Sequence, residues 1–211
     1  MKAARAAPAP ASARLVADCA GLDFLNSGTP SGGSTTTDWM GSGEKLLSWL
    51  GQAGLVPLVT LQHLARNADH DSLARVASRA RDLRGWLGGF VDQYRGRALP
   101  YIDLARLELL NRILAEDQKY CQIVARSPKG DLSLQVTRRW VTPESLLLPI
   151  AEAVAKLICE ENFVQIKACE GCALVFIDRT RRRARKWCSM ATCGNRAKQA
   201  AHRHRRKPHR Q

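Results

Sequence analysis

The sequence of 211 residues is 45% hydrophobic and 25% charged, which is typical of a soluble globular protein with one full domain and a small one. Its net charge of +14 is uneven: residues 1–162 contain 19 Lys and Arg against 17 Asp and Glu, whereas residues 163–211 contain 14 against 2. Such a basic end predicts a polyanionic partner. No apolar run approaches the ~18 residues of a membrane span, so we expect nucleic acid and no membrane.

The N-terminal residues 1–13 are rich in Ala and Pro and predict a disordered tail. Pro8, Pro10, Ser12 and Arg14 interrupt the apolar core that a signal peptide requires, so we expect a cytoplasmic protein. Three of the seven cysteines are scattered and four are clustered near the C-terminus. In a reducing compartment this odd number favours free thiols and a metal site over disulfides.

The segment 14–162 has the hydrophobic pattern of a mainly helical domain. A Gly/Ser/Thr-rich stretch at 30–37 predicts a loop. Residues 120–126 and 132–141 alternate apolar and polar side chains around a Ser-Pro-Lys-Gly-Asp turn, which predicts a β-hairpin. The fold class is therefore mainly α with one β-hairpin (α+β). Helices are predicted at about 44–54, 60–66, 71–95 with Asp71 as N-cap, 100–117, and 142–161 with Thr142 as N-cap and Pro143 next.

Four cysteines near the C-terminus have the spacing of a structural zinc site. Two residues separate Cys169 from Cys172, fifteen follow, and four separate Cys188 from Cys193. A Cys-x2-Cys knuckle directs two thiolates to one tetrahedral Zn2+, and the second pair completes the site. Because protein then fills all four positions, the single zinc ion is structural and has no vacancy for a reacting water. The alternatives are two disulfides or four unligated thiols.

The predicted elements around these cysteines make a small finger over residues 163–205, followed by a basic tail at 206–211. Residues 173–177 predict a short strand, residues 179–187 a polar turn or helix, and a helix is expected from Cys193 to about residue 204. This order of knuckle, hairpin and helix predicts a treble-clef-like zinc finger, although a zinc ribbon fits the same sequence.

The basic residues of this finger are the candidates for binding nucleic acid. Eleven Lys and Arg in two runs repel one another unless a polyanion is bound, although a charge run is also common on a solvated face. We expect Ala197, Ala200 and Ala201 to pack behind a helical face that could contact base edges. Trp187 is expected to cover the metal. The candidates are Arg181, Arg182, Arg183, Arg185, Lys186, Asn195, Arg196, Lys198 and Arg203, of which Asn195 could instead cap the helix or hold the cysteine loop.

Two segments also resemble a known protein family. Residues 187–198, which contain Cys-Gly-Asn-Arg, resemble the CGNR zinc finger, and residues 174–179 fit the same finger. Residues 21–26, Gly-Leu-Asp-Phe-Leu-Asn, are similar to the start of the helical ABATE domain that precedes this finger in bacterial proteins described as stress-induced transcription regulators. The resemblance implies one bound zinc ion, with Cys169, Cys172, Cys188 and Cys193 as ligands, and a nucleic-acid-binding role.

The sequence thus favours a bacterial, nucleoid-associated transcription regulator that binds double-stranded DNA, with a helical domain that senses a small-molecule signal or forms a homodimer. An RNA- or ribosome-associated zinc protein is one alternative, and a small-molecule-binding helical domain with a purely structural finger is another. Asp23 and Asn26 are candidates for a ligand pocket in that domain, or for an Asx-type turn. Without a nucleophile elbow, phosphate loop or paired-carboxylate pattern, we do not expect an enzyme.

Overall fold

The computed structural model describes residues 12–28, 38–127 and 130–205, with side chains up to residue 203. Most of the expected tail (1–11), most of the Gly/Ser/Thr-rich loop (29–37), two residues of the hairpin turn (128–129) and the basic tail (206–211) lie outside the described residues. Residues 12 and 13, which the sequence assigned to the tail, are described, and the Ala13 N–H donates to Gln52 Oε1 at 2.7 Å.

Helices make up most of the described chain, and two antiparallel hairpins accompany them, so the α+β class is confirmed. None of these helices has the length and apolar character needed to cross a membrane. The helices are α1 (Ala20–Leu25), α2 (Gly43–Gln52), α3 (Leu58–Asn67), α4 (His70–Tyr94), α5 (Glu108–Ala115), α6 (Leu147–Glu160) and α7 (Asn195–Arg205). The strands are β1 (Lys119–Ala125), paired with β2 (Leu132–Arg138), and β3 (Ile166–Ala168), paired with β4 (Val175–Ile177).

Local capping sets helix boundaries that differ from the sequence prediction. The N-cap of α4 is Asp69, not Asp71, because the Asp69 carboxylate accepts a hydrogen bond from the Ser72 N–H at 2.7 Å. The helix predicted from residue 100 begins only at Glu108, after a 3-10 turn at Leu104–Leu107 that Asp103 caps. Side-chain acceptors at these positions satisfy N–H groups that a helix end leaves unpaired.

The core of the helical domain lies between α1, α2, α4 and α6. Apolar side chains spaced by three and four residues give each of these helices one buried face, as at Leu83 and Leu87 of α4. Gly21 allows α1 to approach α6 closely, because a Cβ atom at this position would lie 2.8 Å from the Ala153 carbonyl oxygen and 2.9 Å from Leu157 Cβ. The tight α1–α6 packing positions the chain entering α1 beside the C-terminal region.

Strand β4 connects this core to the finger. Successive side chains of a strand point to opposite faces. Val175 and Ile177 belong to the core of the helical domain, whereas Leu174 and Phe176 pack with the cysteines. The helical domain and the finger therefore share one strand, although the sequence pattern separates them at residue 162.

Candidate zinc centre and nucleic-acid interface

The four cysteines of the predicted zinc site converge on one point. Their Sγ atoms all lie within 4.8 Å of one another, with 3.6 Å between Cys172 and Cys188 and 3.9 Å between Cys188 and Cys193. Four sulfurs at about 2.3 Å from a tetrahedral zinc ion stand roughly 3.8 Å apart. The thiol spacing therefore fits one zinc ion. Among the described residues this is the one cluster of three or more side chains able to ligate a metal.

Two turns deliver the ligands to this point. In the first, Cys169 follows β3, and the Ala173 N–H donates to the Cys169 carbonyl at 3.0 Å. The φ of 60° at Ala173 then directs the chain back, so that the Leu174 carbonyl accepts from the Cys169 N–H at 2.8 Å. In the second, a wide π-helical turn at Met190–Gly194 carries Cys193 to the start of α7. This turn explains why the final helix begins at Asn195 and not at Cys193 as predicted.

The electrostatics of the four thiols favour a bound cation. Burial raises the pKa of the Cys188 thiol, and the neighbouring Cys172 and Cys169 raise that pKa further, far above its ordinary value. Burial acts in the same direction on Cys169, but hydrogen bonds from the backbone N–H groups of Cys188 and Gly171 outweigh it and lower the pKa of Cys169 to about 7. Four thiolates cannot coexist at this spacing without a metal ion, which removes the mutual repulsion.

Arg14 adds a positive charge from the helical domain. Its guanidinium Nη2 lies 3.8 Å from Cys188 Sγ and 4.0 Å from Cys172 Sγ. A zinc ion with four thiolates carries an excess negative charge, which a neighbouring guanidinium offsets. From the sequence, Arg14 was assigned no role at the metal site, because nothing in the local pattern shows a contact with residues more than 150 positions away.

Trp187 and Asn195 have structural roles beside the ligands. Trp187 is half-buried and packs against the cysteine cluster. This position agrees with the prediction that Trp187 covers the metal. The Asn195 side-chain amide donates to the Ala191 carbonyl at 3.2 Å and so holds the turn that contains Cys193. Of the two structural roles considered for Asn195, this bond supports the one that holds the cysteine loop, and its contact with nucleic acid stays a prediction.

Asp178 organises the basic loop between the two cysteine pairs and was missed by sequence analysis. Its carboxylate is fully buried and accepts hydrogen bonds from Lys167 Nζ at 2.8 Å, Thr180 Oγ1 at 2.6 Å and the Arg185 N–H at 2.9 Å. Burial alone would raise the pKa of Asp178, but these donors outweigh it and hold that pKa far below its ordinary value. A lone Asp between apolar and basic segments gives no sequence signal of such burial.

Arg185 differs from the other predicted nucleic-acid-binding residues because its side chain makes contacts within the protein. Its guanidinium donates to the carbonyl oxygens of Trp187, at 2.9 Å, and Cys188, and lies 3.2 Å from an Asp18 carboxylate oxygen. It also stacks on the Phe176 ring at 4.5 Å. These contacts use the donors that would bind a phosphate, so Arg185 holds the finger together and links it to the helical domain.

The other basic candidates are exposed on the finger surface. Helix α7 is exposed at Ala200 and Ala201, and only Ala197 is half-buried, so the expectation that all three pack behind the helix is wrong. The reason is that the main contact of α7 is with the turn at Met190–Gly194 next to its first turn, and residues 198–203 are all exposed. The exposed candidates in the basic loop are Arg181, Arg182, Arg183 and Lys186, and those on α7 are Arg196, Lys198 and Arg203.

A surface cavity of about 470 Å³ lies between the β3–β4 hairpin and the basic loop. Its charged lining comprises one carboxylate, Glu170, and five cationic side chains. One of the cations, Arg95, follows α4 and belongs to the helical domain. The positive surface of the finger therefore continues onto the end of α4. The five cationic residues are Arg95, Lys167, Arg183, Arg185 and Lys186.

Asp23 and Asn26, the candidates for a ligand pocket, use their side chains to bind backbone groups. Asp23 Oδ1 accepts from the N–H groups of Val16 and Ala17, at 2.9 and 3.0 Å, which fixes the segment before α1. The Asn26 amide is buried and makes two hydrogen bonds to Val175. Its Nδ2 donates to the Val175 carbonyl at 2.8 Å, and its Oδ1 accepts from the Val175 N–H at 2.9 Å. Asn26 thus joins α1 to β4, and this contact accounts for its side chain without a ligand.

Comparison with known families agrees with this geometry. Residues 18–161 match the ABATE family, described as "Putative stress-induced transcription regulator", and residues 165–206 match the CGNR zinc finger. Neither description is that of an enzyme. No curated protein sequence matches the chain. The second match contains all four clustered cysteines, so the predicted ligand set for one zinc ion and the family matches agree.

Proposed function

Because this chain belongs to the ABATE family and ends in a CGNR zinc finger, we propose that it is a transcription regulator that binds double-stranded DNA. The observation that carries the proposal is the unbalanced positive charge on the finger surface. Residues 163–211 contain two acidic residues: Asp178 is buried against Lys167, and Glu170 lies 3.5 Å from Lys186. Arg179 and Arg185 pair with carboxylates of the helical domain. The other described Lys and Arg side chains of the finger form no ion pair among the described residues, and phosphates would neutralise them; these are Arg181, Arg182, Arg183, Arg196, Lys198 and Arg203.

Helix α7 is the element proposed to enter the major groove. Arg196, Gln199 and Arg203 lie on one side of this helix, at spacings of three and four residues. The major groove of B-DNA is wide enough for an α-helix, whereas that of A-form RNA is too narrow and deep. The exposed helix therefore favours duplex DNA. We assign base contacts to Arg196 and Arg203, and phosphate contacts to the loop residues 181–183.

The helical domain has a separate role in this proposal. Residues 1–162 carry a net charge of only +2, so this region contributes little attraction to DNA. We assign to it the sensing of a signal or dimerisation, and we place the protein in the cytoplasm on the nucleoid. Arg95, at the edge of the basic cavity, is the point where the helical domain could add a phosphate contact.

The test compares two variants that lose the same charge from different regions. One replaces Arg181, Arg182 and Arg183 with Ala, and the control replaces three exposed arginines of the helical domain, Arg66, Arg75 and Arg97. At low salt we expect the first to weaken duplex binding by about 100-fold or more and the control by less than about threefold. Equal effects would reject the finger as the interface. Tighter binding of the wild-type protein to structured RNA than to duplex DNA would favour the RNA-associated alternative.

A second pair of variants tests base contacts by α7. Replacing Arg196 or Arg203 with Ala should cost about 1–3 kcal/mol on a preferred site and less on random duplexes, because a lost base contact removes discrimination. Arg182→Ala should weaken binding to both DNAs alike, because phosphates carry no sequence. Identical behaviour of the three variants would make the finger a general polyanion clamp.

A further inference from the structure

The β1–β2 hairpin exposes large apolar side chains on one of its two faces. On one face of the hairpin, Ile123 lies opposite Leu134 and Cys121 lies opposite Val136. The four large apolar residues of this face, Ile123, Leu132, Leu134 and Val136, are 67–71% exposed. On the opposite face, Gln122 and Gln135 are exposed, and Tyr120, Val124, Ser133 and Thr137 are half-buried. The large apolar side chains of a sheet normally face a core, so their exposure here indicates an interaction surface.

Polar contacts, and not this apolar face, fix the hairpin to the helical domain. Arg138 at the end of β2 makes two hydrogen bonds of 2.7 Å to the Asp117 carboxylate and a third, of 2.8 Å, to Glu152 of α6. Lys119 at the start of β1 lies 3.0 Å from the same Glu152. The base of the hairpin is therefore anchored by ion pairs, while its large apolar side chains remain exposed.

The exposed face supplies most of the area of a small protein interface. Burying a Val, Leu or Ile side chain removes on the order of 100 Å² from water. Four such side chains give roughly 400 Å² per chain, and two facing copies about 800 Å², before Cys121 and Ala125 are added. The total approaches the ~1,000 Å² of the smaller specific interfaces. A two-stranded hairpin with no covered apolar face is also only marginally stable in water.

We propose that this face is the interface at which two copies of the chain pack, hairpin against hairpin. The charged side chains of this face, Lys119 and Arg138, lie at its base and are paired with Asp117 and Glu152, so the apolar part offers no unpaired charge that would select a different protein. An apolar sheet face of this kind can pack on a second copy of itself across a twofold axis, and sheets pack face to face about 10 Å apart.

The rest of this chain has no segment suited to cover the face. The parts outside the described residues are 1–11, 29–37, 128–129 and 206–211, and Met1 is the one large apolar residue among them. They consist otherwise of small, polar, basic and proline residues. A second copy therefore supplies what the chain itself does not, a matching apolar surface.

The dimer has a consequence that rests on the proposed function. Two fingers related by a twofold axis would meet two DNA half-sites of inverted orientation. The dimer itself does not depend on DNA binding, so mass measurements without DNA separate the failure of this inference from the failure of the proposed function.

Sedimentation velocity of the zinc-loaded full-length protein tests the interface. We expect the wild-type protein to sediment as a dimer, and Ile123→Glu and Leu134→Lys each to raise the dissociation constant by at least about 100-fold. Gln122→Glu and Gln135→Lys place the same charges on the same strands but on the opposite face, and should remain dimeric. A wild-type monomer up to about 0.1 mM, or equal association of the face variants and the controls, would overturn the interface.

Cross-linking gives a second measurement that needs no disruptive variant. Cys121 lies on the apolar face and is exposed, as is Cys159 on α6. In a Cys159→Ser background, a short bis-maleimide should join two chains through Cys121, and Cys121→Ser should abolish the product. Absence of covalent dimer at protein concentrations where the wild type sediments as a dimer would show that another surface forms the interface.

Discussion

The helical domain and the finger are stabilised by different interactions. The helical domain buries large side chains such as Phe24, Trp49 and Leu83 and is nearly neutral. The finger buries two large apolar residues, Leu174 and Phe176, among its cysteines and carries a net charge of +12. A core of that size cannot offset so much repulsion, so the finger depends on its metal ion and on its neighbour.

The contact between the two regions shows how the helical domain supports the finger. Arg14 approaches the thiols, and the Ile177 N–H donates to the Ala17 carbonyl at 3.3 Å. Ion pairs join Asp18 to Arg185 at 3.2 Å and Glu161 to Arg179 at 2.6 Å. Because both ends of the helical domain hold the finger, its orientation is fixed with respect to α1 and α6.

The largest expected effect comes from removing a zinc ligand. Cys172→Ser or Cys193→Ser should abolish the binding of one zinc ion per chain and unfold the finger, because structural zinc contributes about 10–16 kcal/mol to such modules. The helical circular dichroism of the helical domain should persist, because its core consists of its own apolar side chains. Elemental analysis and far-ultraviolet spectra measure the two effects.

The controls for this experiment are the exposed cysteines. Cys121→Ser and Cys159→Ser should keep the zinc ion, since neither thiol belongs to the cluster. Wild-type protein without metal, prepared under reducing conditions, would contradict the zinc site. Collapse of the helical signal in the ligand variants would show that both regions fold as one unit.

The next effect in size concerns the contact at Asn26. Asn26→Ala leaves the buried N–H and carbonyl groups of Val175 without partners, at about 1–3 kcal/mol each. We expect the free energy of unfolding to fall by roughly 2–6 kcal/mol, with the finger melting before the helical domain. Asn67→Ala, an exposed control that bonds only to His63 in its own helix, should change stability by less than about 0.5 kcal/mol. Equal losses would reject the role of Asn26 in joining the two regions.

Asp178 should make the stability of the finger depend on pH. Its folded pKa lies below its unfolded value, so its stabilising effect is fully present above the unfolded pKa near ~3.9 and is lost as pH falls toward the folded pKa. Asp178→Asn should therefore cost about 2–3 kcal/mol at neutral pH, and the gap to wild type should narrow below about pH 4. Denaturant titrations at several pH values measure this gap. Asp82→Asn, an exposed control, should show no such gap, and a constant Asp178→Asn penalty down to pH 2 would refute the sign.

The smallest effects come from two glycines of the helical domain. Gly21→Ala brings a methyl group against Ala153 and Leu157 and should lower the free energy of unfolding by about 1–3 kcal/mol. Gly89→Ala in α4 meets no atom within 4 Å and should stabilise by up to about 1 kcal/mol through helix propensity. Thermal melts distinguish the two signs, and destabilisation by both would mean that α4 is not the continuous helix observed.

Patterns within a few residues predicted much of this structure. Periodicity located the helices around residues 44–54 and 71–95, and the Cys-x2-Cys knuckle identified the metal ligands, because both signals arise from neighbours along the chain. Caps shifted boundaries by a few residues, as at Asp69, since several nearby side chains can serve as N-cap.

Contacts between distant segments could not be predicted in this way. From the sequence, Asn26 was predicted to line a pocket or form a turn, and Arg185 to bind nucleic acid. Both side chains instead bind backbone groups of the finger. Alternation in the β1–β2 hairpin predicted two strands without showing which face is exposed, because that depends on where Arg138 anchors the sheet. Long-range geometry, and not residue type, decides these roles.

The salt dependence of duplex DNA binding tests most directly the claim that the finger binds phosphates while the helical domain supports it. With about six phosphates neutralised, the logarithm of the association constant should fall against the logarithm of salt concentration with a slope near −5. Arg182→Ala should reduce the magnitude of that slope by about one, because one counterion fewer is released. A wild-type slope near zero, or an unchanged slope in the Arg182 variant together with a reduced slope when Arg66 is replaced, would contradict the account.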